Sequence, residues 1–176
     1  MAPAAVARTP RRISARRLAN VARRLIDAAP LCALSTTSRS GRAHVNTMYF
    51  ARMEPWDLVW LSAPMSDHSR NIRANSSAAI AIYDSRQRWG GTDRGIQVFG
   101  RAYELRAGAA VAAKAAYGRH FRSDERILAR FAVYRLRPSR LKLFDEREFG
   151  GGTFVTARVR PDGALAWERS EAYRDE

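Results

Sequence analysis

Residues 57–84 decide the fold, and they read DLVWLSAP, MSDHSRNIRANSSA and AIAIYD in that order. The first piece predicts a strand, because residues 58–61 form an unbroken apolar run. The last piece predicts a second strand. The polar segment between them predicts a short helix that begins at Ser66 or Asp67, since a small polar side chain can cap the first helical turn.

Polar donors crowd the first turn of this short helix, where His68, Ser69, Arg70 and Asn71 follow one another. A helix start presents free backbone N–H groups, and its dipole favours an anion. The pattern therefore indicates a phosphate site. The same residue types also serve as ordinary capping and solvating groups around a connecting helix, so the pattern alone leaves both interpretations open.

The length and composition are those of a globular protein. With 176 residues and 46% hydrophobic residues, we expect one domain. No apolar run approaches the ~20 residues that cross a bilayer, and the first residues lack the apolar segment of a secretory signal, so we expect a cytoplasmic protein without a membrane partner. The single cysteine, Cys32, excludes an internal disulfide and a cysteine-rich metal site.

The chain is strongly basic, with a formal net charge of +14 and a pI near 11.3. Seven arginines precede the first acidic residue, Asp27. Such a charge suggests nucleic acid when it lies in one patch, but no recognised nucleic-acid motif accompanies it. Lys114 and Lys142 are the only lysines, so genome composition is an alternative explanation for the arginine content. Nucleic-acid binding is therefore the less favoured function.

The remaining segments alternate between strand patterns and two helical patterns. In the predicted strand over residues 42–53, Val45, Thr47 and Tyr49 point one way, while His44, Asn46, Met48 and Phe50 point the other. His44 therefore either faces a ligand or lies on a half-solvated sheet face. Small residues along the strand over 95–105, including Gly100, allow another part of the chain to approach closely.

Taken in order, the chain predicts a disordered basic arm, an amphipathic helix, a hairpin, the central unit, an exposed loop, a strand, two helices, a closing segment and a terminal hairpin. The closing segment is either a strand pair or one bent strand, interrupted at Pro138. At least six strands in mostly hairpin connections predict a mainly β fold, an antiparallel barrel with short flanking helices. The ranges are 1–12 for the arm, 13–29 for the first helix, 31–37 and 42–53 for the hairpin, 85–95 for the loop, 95–105 for the strand, 107–121 and 123–131 for the helices, 133–146 for the closing segment and 149–176 for the terminal extension.

The order of these elements resembles the pyridoxamine 5'-phosphate oxidase-like family of flavin-binding split barrels. The resemblance rests on LCALSTTSRSGRAHVNTMYF, on the central unit with its H-S-R-N-I-x-x-N motif and on GIQVFGRAYEL, which together cover residues 31–105. It implies a homodimeric split β-barrel domain over residues 13–148, which binds FMN at the dimer interface, with residues 149–176 as an extension of the same domain.

The resemblance also implies which residues contact the cofactor. The helix start would contribute His68, Ser69, Arg70 and Asn71. The second strand would contribute Asn46, Thr47 and Met48, and the third strand Leu61 and Ser62. Gln97 occupies a position near the flavin, and Trp89 of the exposed loop could come from the neighbouring subunit.

Two positions depart from the family pattern. Family members commonly have Lys where His68 stands, and the true pyridoxamine phosphate oxidases have Arg where Asn46 stands. Arg70 or another arginine would have to compensate for these charges, because a neutral histidine adds little to phosphate binding. Pyridoxal phosphate synthesis is therefore not the expected reaction.

The chemistry implied is that of the flavin, since the chain has no motif for hydrolysis, metal binding or nucleotide binding. His44, His68 and His120 lie on separate predicted elements, so no metal site is expected. We expect an FMN-dependent oxidoreductase that acts on a small molecule, with a nicotinamide as a possible reductant and no assignable catalytic residue. The alternatives are the same fold with deazaflavin or haem, and a flavin-binding protein without turnover.

Overall fold

The structure is a computed structural model that describes residues 5–174, and within that range ten strands and five helices form. Hydrogen bonding orders the strands β1-β10-β9-β8-β7-β6-β2-β3, and β4 and β5 extend from β8. The strand order is open, which confirms a mainly β fold of the split-barrel type. The elements are β1 (Ala5–Thr9), α1 (Ala15–Asp27), β2 (Leu31–Thr37), β3 (Ala43–Tyr49), β4 (Ala51–Met53), β5 (Asp57–Ser62), α2 (Asp67–Ala74), β6 (Ser77–Tyr83), β7 (Arg94–Glu104), α3 (Ala107–Phe121), α4 (Glu125–Ala129), β8 (Ala132–Asp145), α5 (Glu146–Phe149), β9 (Thr153–Val159) and β10 (Leu165–Arg174).

The residues group into two compact units, to both of which β6, β7 and β8 contribute. The described part of the first unit comprises residues 5–29, 82–98 and 139–174, and the second comprises residues 30–81 and 99–138. The two units are described separately below, and the predicted division of the chain at residues 12 and 148 stays a prediction.

In the first unit, α1 packs its apolar side against β10. Ser14 caps the helix, because its hydroxyl accepts a hydrogen bond from the backbone N–H of Arg17. The opposite side carries arginines, and Arg24 forms an ion pair of 2.8 Å with Asp145 at the end of β8. Both sides of the amphipathic helix therefore make contacts, since the apolar side packs against β10 and Arg24 of the polar side pairs with Asp145. The buried residues of α1 are Leu18, Val21, Ala22, Leu25 and Ile26.

The predicted disordered arm is wrong for residues 5–9, which form strand β1. This strand pairs antiparallel with β10, from Ala5 opposite Arg174 to Thr9 opposite Ser170. The backbone of Arg11 continues the attachment, since its carbonyl accepts a hydrogen bond of 2.7 Å from the Ser170 hydroxyl. Edge pairing uses backbone groups and needs no apolar pattern, so composition could not reveal it. Residues 1–4 lie outside the described residues.

The C-terminal extension is a hairpin, as predicted. Strands β9 and β10 pair antiparallel from Thr153 opposite Ala172 to Val159 opposite Leu165. The turn between them is Pro161-Asp162-Gly163, in which Gly163 has a φ of 82°. The Asp162 carboxylate accepts a hydrogen bond from the backbone N–H of Ala164.

In the second unit, β2 pairs on one side with β3 and on the other with β6. Helix α2 packs against β2 and β3. The predicted strand over residues 42–53 is divided into β3 and β4 at Phe50, whose N–H donates to the carbonyl of Pro30 at 3.3 Å. This bond takes the Phe50 amide out of the strand ladder, which is why one pattern gives two strands.

The remaining strands of the second unit form around β8. Strand β5 pairs with both β4 and β8, and Trp60 stacks on Tyr134 with ring centroids 5.9 Å apart. The closing segment is one continuous strand, β8, so Pro138 does not break it. The predicted close approach at Gly100 is confirmed, because a Cβ there would lie 2.1 Å from the carbonyl oxygen of Arg137.

Candidate functional site

The candidate site is the start of α2, which follows the loop after β5. Ser66 is the N-cap, with the extended backbone (φ −66°, ψ 156°) that a cap residue adopts. Within the described chain no side chain caps the N–H groups of the first turn. Those donors therefore remain available for an acceptor outside the helix.

Four polar side chains form a hydrogen-bonded cluster beneath this helix start. The Nε2 atom of His68 lies 2.6 Å from the Ser62 hydroxyl and 3.1 Å from the Ser66 hydroxyl. The Ser66 hydroxyl also lies 2.8 Å from that of Ser69. Ser62, His68 and Ser69 are buried. The structure thus brings three predicted site residues into one hydrogen-bonded cluster, and it adds Ser66, which the sequence indicated only as a cap and which joins Ser69 to His68.

His68 is an uncharged member of this cluster at neutral pH. Burial lowers the pKa of its imidazole below the ordinary value of 6.5, and the charge of the nearby His44 lowers it further, while Asp67 opposes the shift. An uncharged imidazole offers one donor and one acceptor. His68 can therefore orient a ligand or its neighbours, but it supplies no fixed positive charge.

His44 lies on the side of β3 that faces the start of α2. Its ring centroid is 6.3 Å from that of His68, and its Nε2 atom is 3.9 Å from a carboxylate oxygen of Asp67. Its Nδ1 atom is buried and has no hydrogen-bond partner among the described residues. His44 thus lies beside the candidate site with about a third of its side chain exposed, and whether it faces a ligand stays a prediction.

Arg70 and Asn71, both predicted as contacts, make bonds within the protein. Arg70 donates to the carbonyl of Met65 at 2.7 Å and forms an ion pair with Asp67, while about half of its side chain remains exposed. Asn71 donates to the hydroxyl of Thr36 on β2 at 3.1 Å and so ties α2 to the sheet. A phosphate would share the Arg70 charge with Asp67.

The predicted strand contacts lie on different faces. Asn46 is half-buried and Met48 is buried on the face of β3 that carries His44, whereas Thr47 is exposed on the opposite face. Leu61 packs against a separate apolar cluster that includes Val59. Each of these contacts stays a prediction.

Gln97 and Trp89 belong to the other unit. Gln97 is half-buried on β7, and Trp89 is fully exposed in the loop between β6 and β7. Their roles near a flavin also stay predictions.

Comparisons with known proteins agree with this fold. A family model described as pyridoxamine 5'-phosphate oxidase matches residues 18–145. No curated protein matches the chain. Similar solved structures include the conserved hypothetical protein Rv2991 from Mycobacterium tuberculosis, which is 16% identical with a TM-score of 0.64, the match covering 81% of this chain and 91% of that one.

Two further structures are similar and differ in what they bind. A pyridoxamine 5'-phosphate oxidase-related, FMN binding protein from Nostoc punctiforme is 13% identical with a TM-score of 0.60, covering 88% of this chain and 94% of that one. A heme binding protein from Mycobacterium smegmatis is 15% identical with a TM-score of 0.59, covering 90% of this chain and 88% of that one. At these identities the structures show the fold alone. The family model matches residues 18–145, which are more than half of this chain. The chain therefore belongs to the pyridoxamine 5'-phosphate oxidase family.

Proposed function

We propose that this protein binds FMN and acts as a flavin-dependent oxidoreductase on a small molecule, with a nicotinamide as a possible reductant. The observation that carries the proposal is the uncapped start of α2 beside the buried cluster of Ser62, Ser66, His68 and Ser69. Backbone N–H groups at a helix start suit a phosphate group. Family membership supports the same assignment.

The residues present fit the phosphate end of FMN by their hydrogen-bonding capacity. The first-turn N–H groups of α2 are donors, and Arg70 supplies the nearest formal positive charge on the helix. The Ser62 hydroxyl is a further donor in the tautomer in which Nε2–H of His68 donates to its oxygen. When bound, FMN supplies hydride or electron transfer from its ring system. The task of the chain is then to hold the phosphate, while neutral His68 keeps the Ser62 hydroxyl oriented through their 2.6 Å bond.

Haem is the second candidate ligand, and His44 is the observation that favours it. An imidazole nitrogen is a common iron ligand in haem proteins, and the Nδ1 atom of His44 is buried without a hydrogen-bond partner among the described residues. The similar haem-binding structure supports this alternative. A deazaflavin is a further alternative, as is a flavin-binding protein without turnover.

The absorbance spectrum of the purified protein separates these ligands. Oxidised flavin bands support FMN, and a Soret band supports haem. A colourless protein that binds an added deazaflavin but not FMN supports the third ligand. An FMN titration that shows no binding, on protein shown to be folded, would refute the main proposal.

We further propose that the protein is a homodimer that pairs through the outer face of the second unit's sheet. Residues that lie directly opposite each other on paired strands are on the same face of a sheet. On the proposed face of β2, β3 and β6, no side chain is charged. Val45 is 66% exposed and Tyr49 is 55% exposed. An uncharged surface with exposed apolar residues is typical of an interface. The residues of this face include Leu31, Ala33, Ser35, Thr37, Ala43, Val45, Thr47, Tyr49, Ala79 and Ala81.

Light scattering tests the dimer. Val45→Asp would place a charge in the proposed interface, and we expect it to give a monomer. Val111→Asp on α3 is the matched control, because Val111 is 69% exposed and lies outside this face. A wild-type protein that is monomeric at assay concentration would refute this part of the proposal.

The cellular location of the protein and a role for its net charge remain predictions from the sequence. No helix among the described residues is long and apolar enough to span a membrane. We propose a cytoplasmic protein, with nucleic-acid binding as the less favoured alternative function.

A further inference from the structure

The last turn of α2 is joined back to the loop that begins the helix. Arg73 donates from Nη2 to the carbonyl of Pro64 at 2.6 Å. Its Nη1 atom lies 3.2 Å from a carboxylate oxygen of Glu104 on β7 and 3.4 Å from the hydroxyl of Tyr134 on β8. One guanidinium therefore contacts the loop before the helix and two neighbouring strands.

Tyr134 extends this arrangement to the buried cluster. It is fully buried, and its hydroxyl donates to the same Glu104 oxygen at 3.3 Å. Burial raises the pKa of its hydroxyl, and the nearby Ser69 side chain opposes that shift. The Ser69 hydroxyl is bonded to that of Ser66, so Tyr134 lies beside the cluster at the helix start.

We propose that Arg73, Glu104 and Tyr134, which we name the Arg73 brace, are positioning residues that hold the start of α2 in the geometry needed for phosphate. The inference rests on the proposed function for its ligand, but it concerns contacts of the chain itself. Arg73 fixes the loop carbonyl, and the buried Tyr134, held by Glu104, lies beside Ser69. Neither residue is among the predicted contacts of the cofactor.

The brace borders an open cavity of about 460 Å³, which is lined by Arg73, Glu104 and Arg106 among others. A small cation in solution can therefore reach the position of the Arg73 side chain. Among the described residues, Arg106 lines the same cavity without a hydrogen bond to the loop or to Tyr134, so it provides a matched control.

The test compares Arg73→Ala, Arg73→Lys and Arg106→Ala, each with and without ethylguanidinium. The first measurement is amide hydrogen exchange of residues 70–75 in the protein without cofactor, because the Arg70 amide donates to the Ser66 carbonyl and therefore reports on the helix start. We expect Arg73→Ala to speed this exchange about tenfold, because a charged donor is removed, and ethylguanidinium to restore it. Arg73→Lys should restore it only in part, since an ammonium lacks the planar fork. Arg106→Ala should behave as wild type.

The second measurement compares the affinities for FMN and riboflavin, which lacks the phosphate. We expect Arg73→Ala to weaken FMN binding about tenfold and riboflavin binding much less, because only FMN uses the helix start. Loss of both affinities to the same extent would overturn the inference.

The exchange measurement decides the inference even when the ligand is not FMN. Absence of FMN binding to the wild type would refute the proposed function and leave the exchange result as the test of the brace. Unchanged exchange at residues 70–75, or faster exchange throughout the chain without rescue, would overturn the brace. Should Arg73→Ala fail to fold, Glu104→Gln with the same measurements replaces it.

Discussion

Ser62→Ala removes the shortest hydrogen bond in the buried cluster. The Ser62 hydroxyl lies 2.6 Å from Nε2 of His68, and it also lies 3.1 Å from the hydroxyl of Ser66. The substitution leaves His68 with Ser66 as its remaining partner at 3.1 Å. The imidazole nitrogen thus loses its better partner without becoming unsatisfied.

The expected cost follows from that remaining bond. Leaving a buried polar group with no partner costs about 1–3 kcal/mol, whereas a net hydrogen bond contributes about 0.5–1.5 kcal/mol. Because Ser66 still bonds to His68, we expect the free energy of unfolding to fall by about 1 kcal/mol. For a chain of this size that corresponds to a fall in Tm of about 2–4 °C.

Urea denaturation at pH 7 measures the change, with Ser77→Ala as the control. Ser77 is an exposed serine on β6, and we expect its substitution to change stability by less than about 0.5 kcal/mol. A Ser62→Ala protein as stable as the control would show that the short bond contributes nothing. A loss of about 3 kcal/mol or more would show that Ser66 does not satisfy His68.

Three other outcomes are expected. Burial lowers the pKa of His68 from 6.5, so the contribution of this residue to the free energy of unfolding is complete above pH 6.5 and is lost as the pH falls towards the folded pKa. Urea titrations of His68→Gln should therefore show less acid sensitivity than those of the wild type. Equal sensitivity of the two proteins would contradict this prediction. Gly100→Ala should lower the free energy of unfolding by about 2–3 kcal/mol, because the new methyl would meet the Arg137 carbonyl at 2.1 Å, and a wild-type urea midpoint would contradict it. Arg70→Ala should weaken FMN binding by at least ~1.5 kcal/mol in a flavin titration, and unchanged affinity would remove Arg70 from the site.

Local sequence patterns predicted most of the elements of this fold. The alternation along residues 43–49 placed His44, Asn46 and Met48 on one face, and the structure shows that this face is the more buried one. The apolar spacing of α1 identified its buried side, and the cap at Ser66 began α2 where it was expected. These signals are readable because helix and strand periodicities repeat within a few residues of chain.

The support of the candidate site was not readable in the same way. Nothing near Tyr134 in the sequence indicates a bond with Glu104, and nothing near Arg73 indicates a bond to Pro64 or Glu104. Such partners are chosen by the packing of distant segments. Burial also decides that His68 is uncharged, and a residue's burial depends on all the elements packed around it.

The sequence by itself determined the mainly β class, the family and the polar helix start after β5, because these depend on local periodicity and capping. Only the tertiary structure decided that residues 5–9 join the edge of β10, that β8 runs unbroken through Pro138 and that Arg70 shares its charge with Asp67. Those outcomes depend on which backbone edges and charged groups meet when the chain packs, and that information is not local to any one segment.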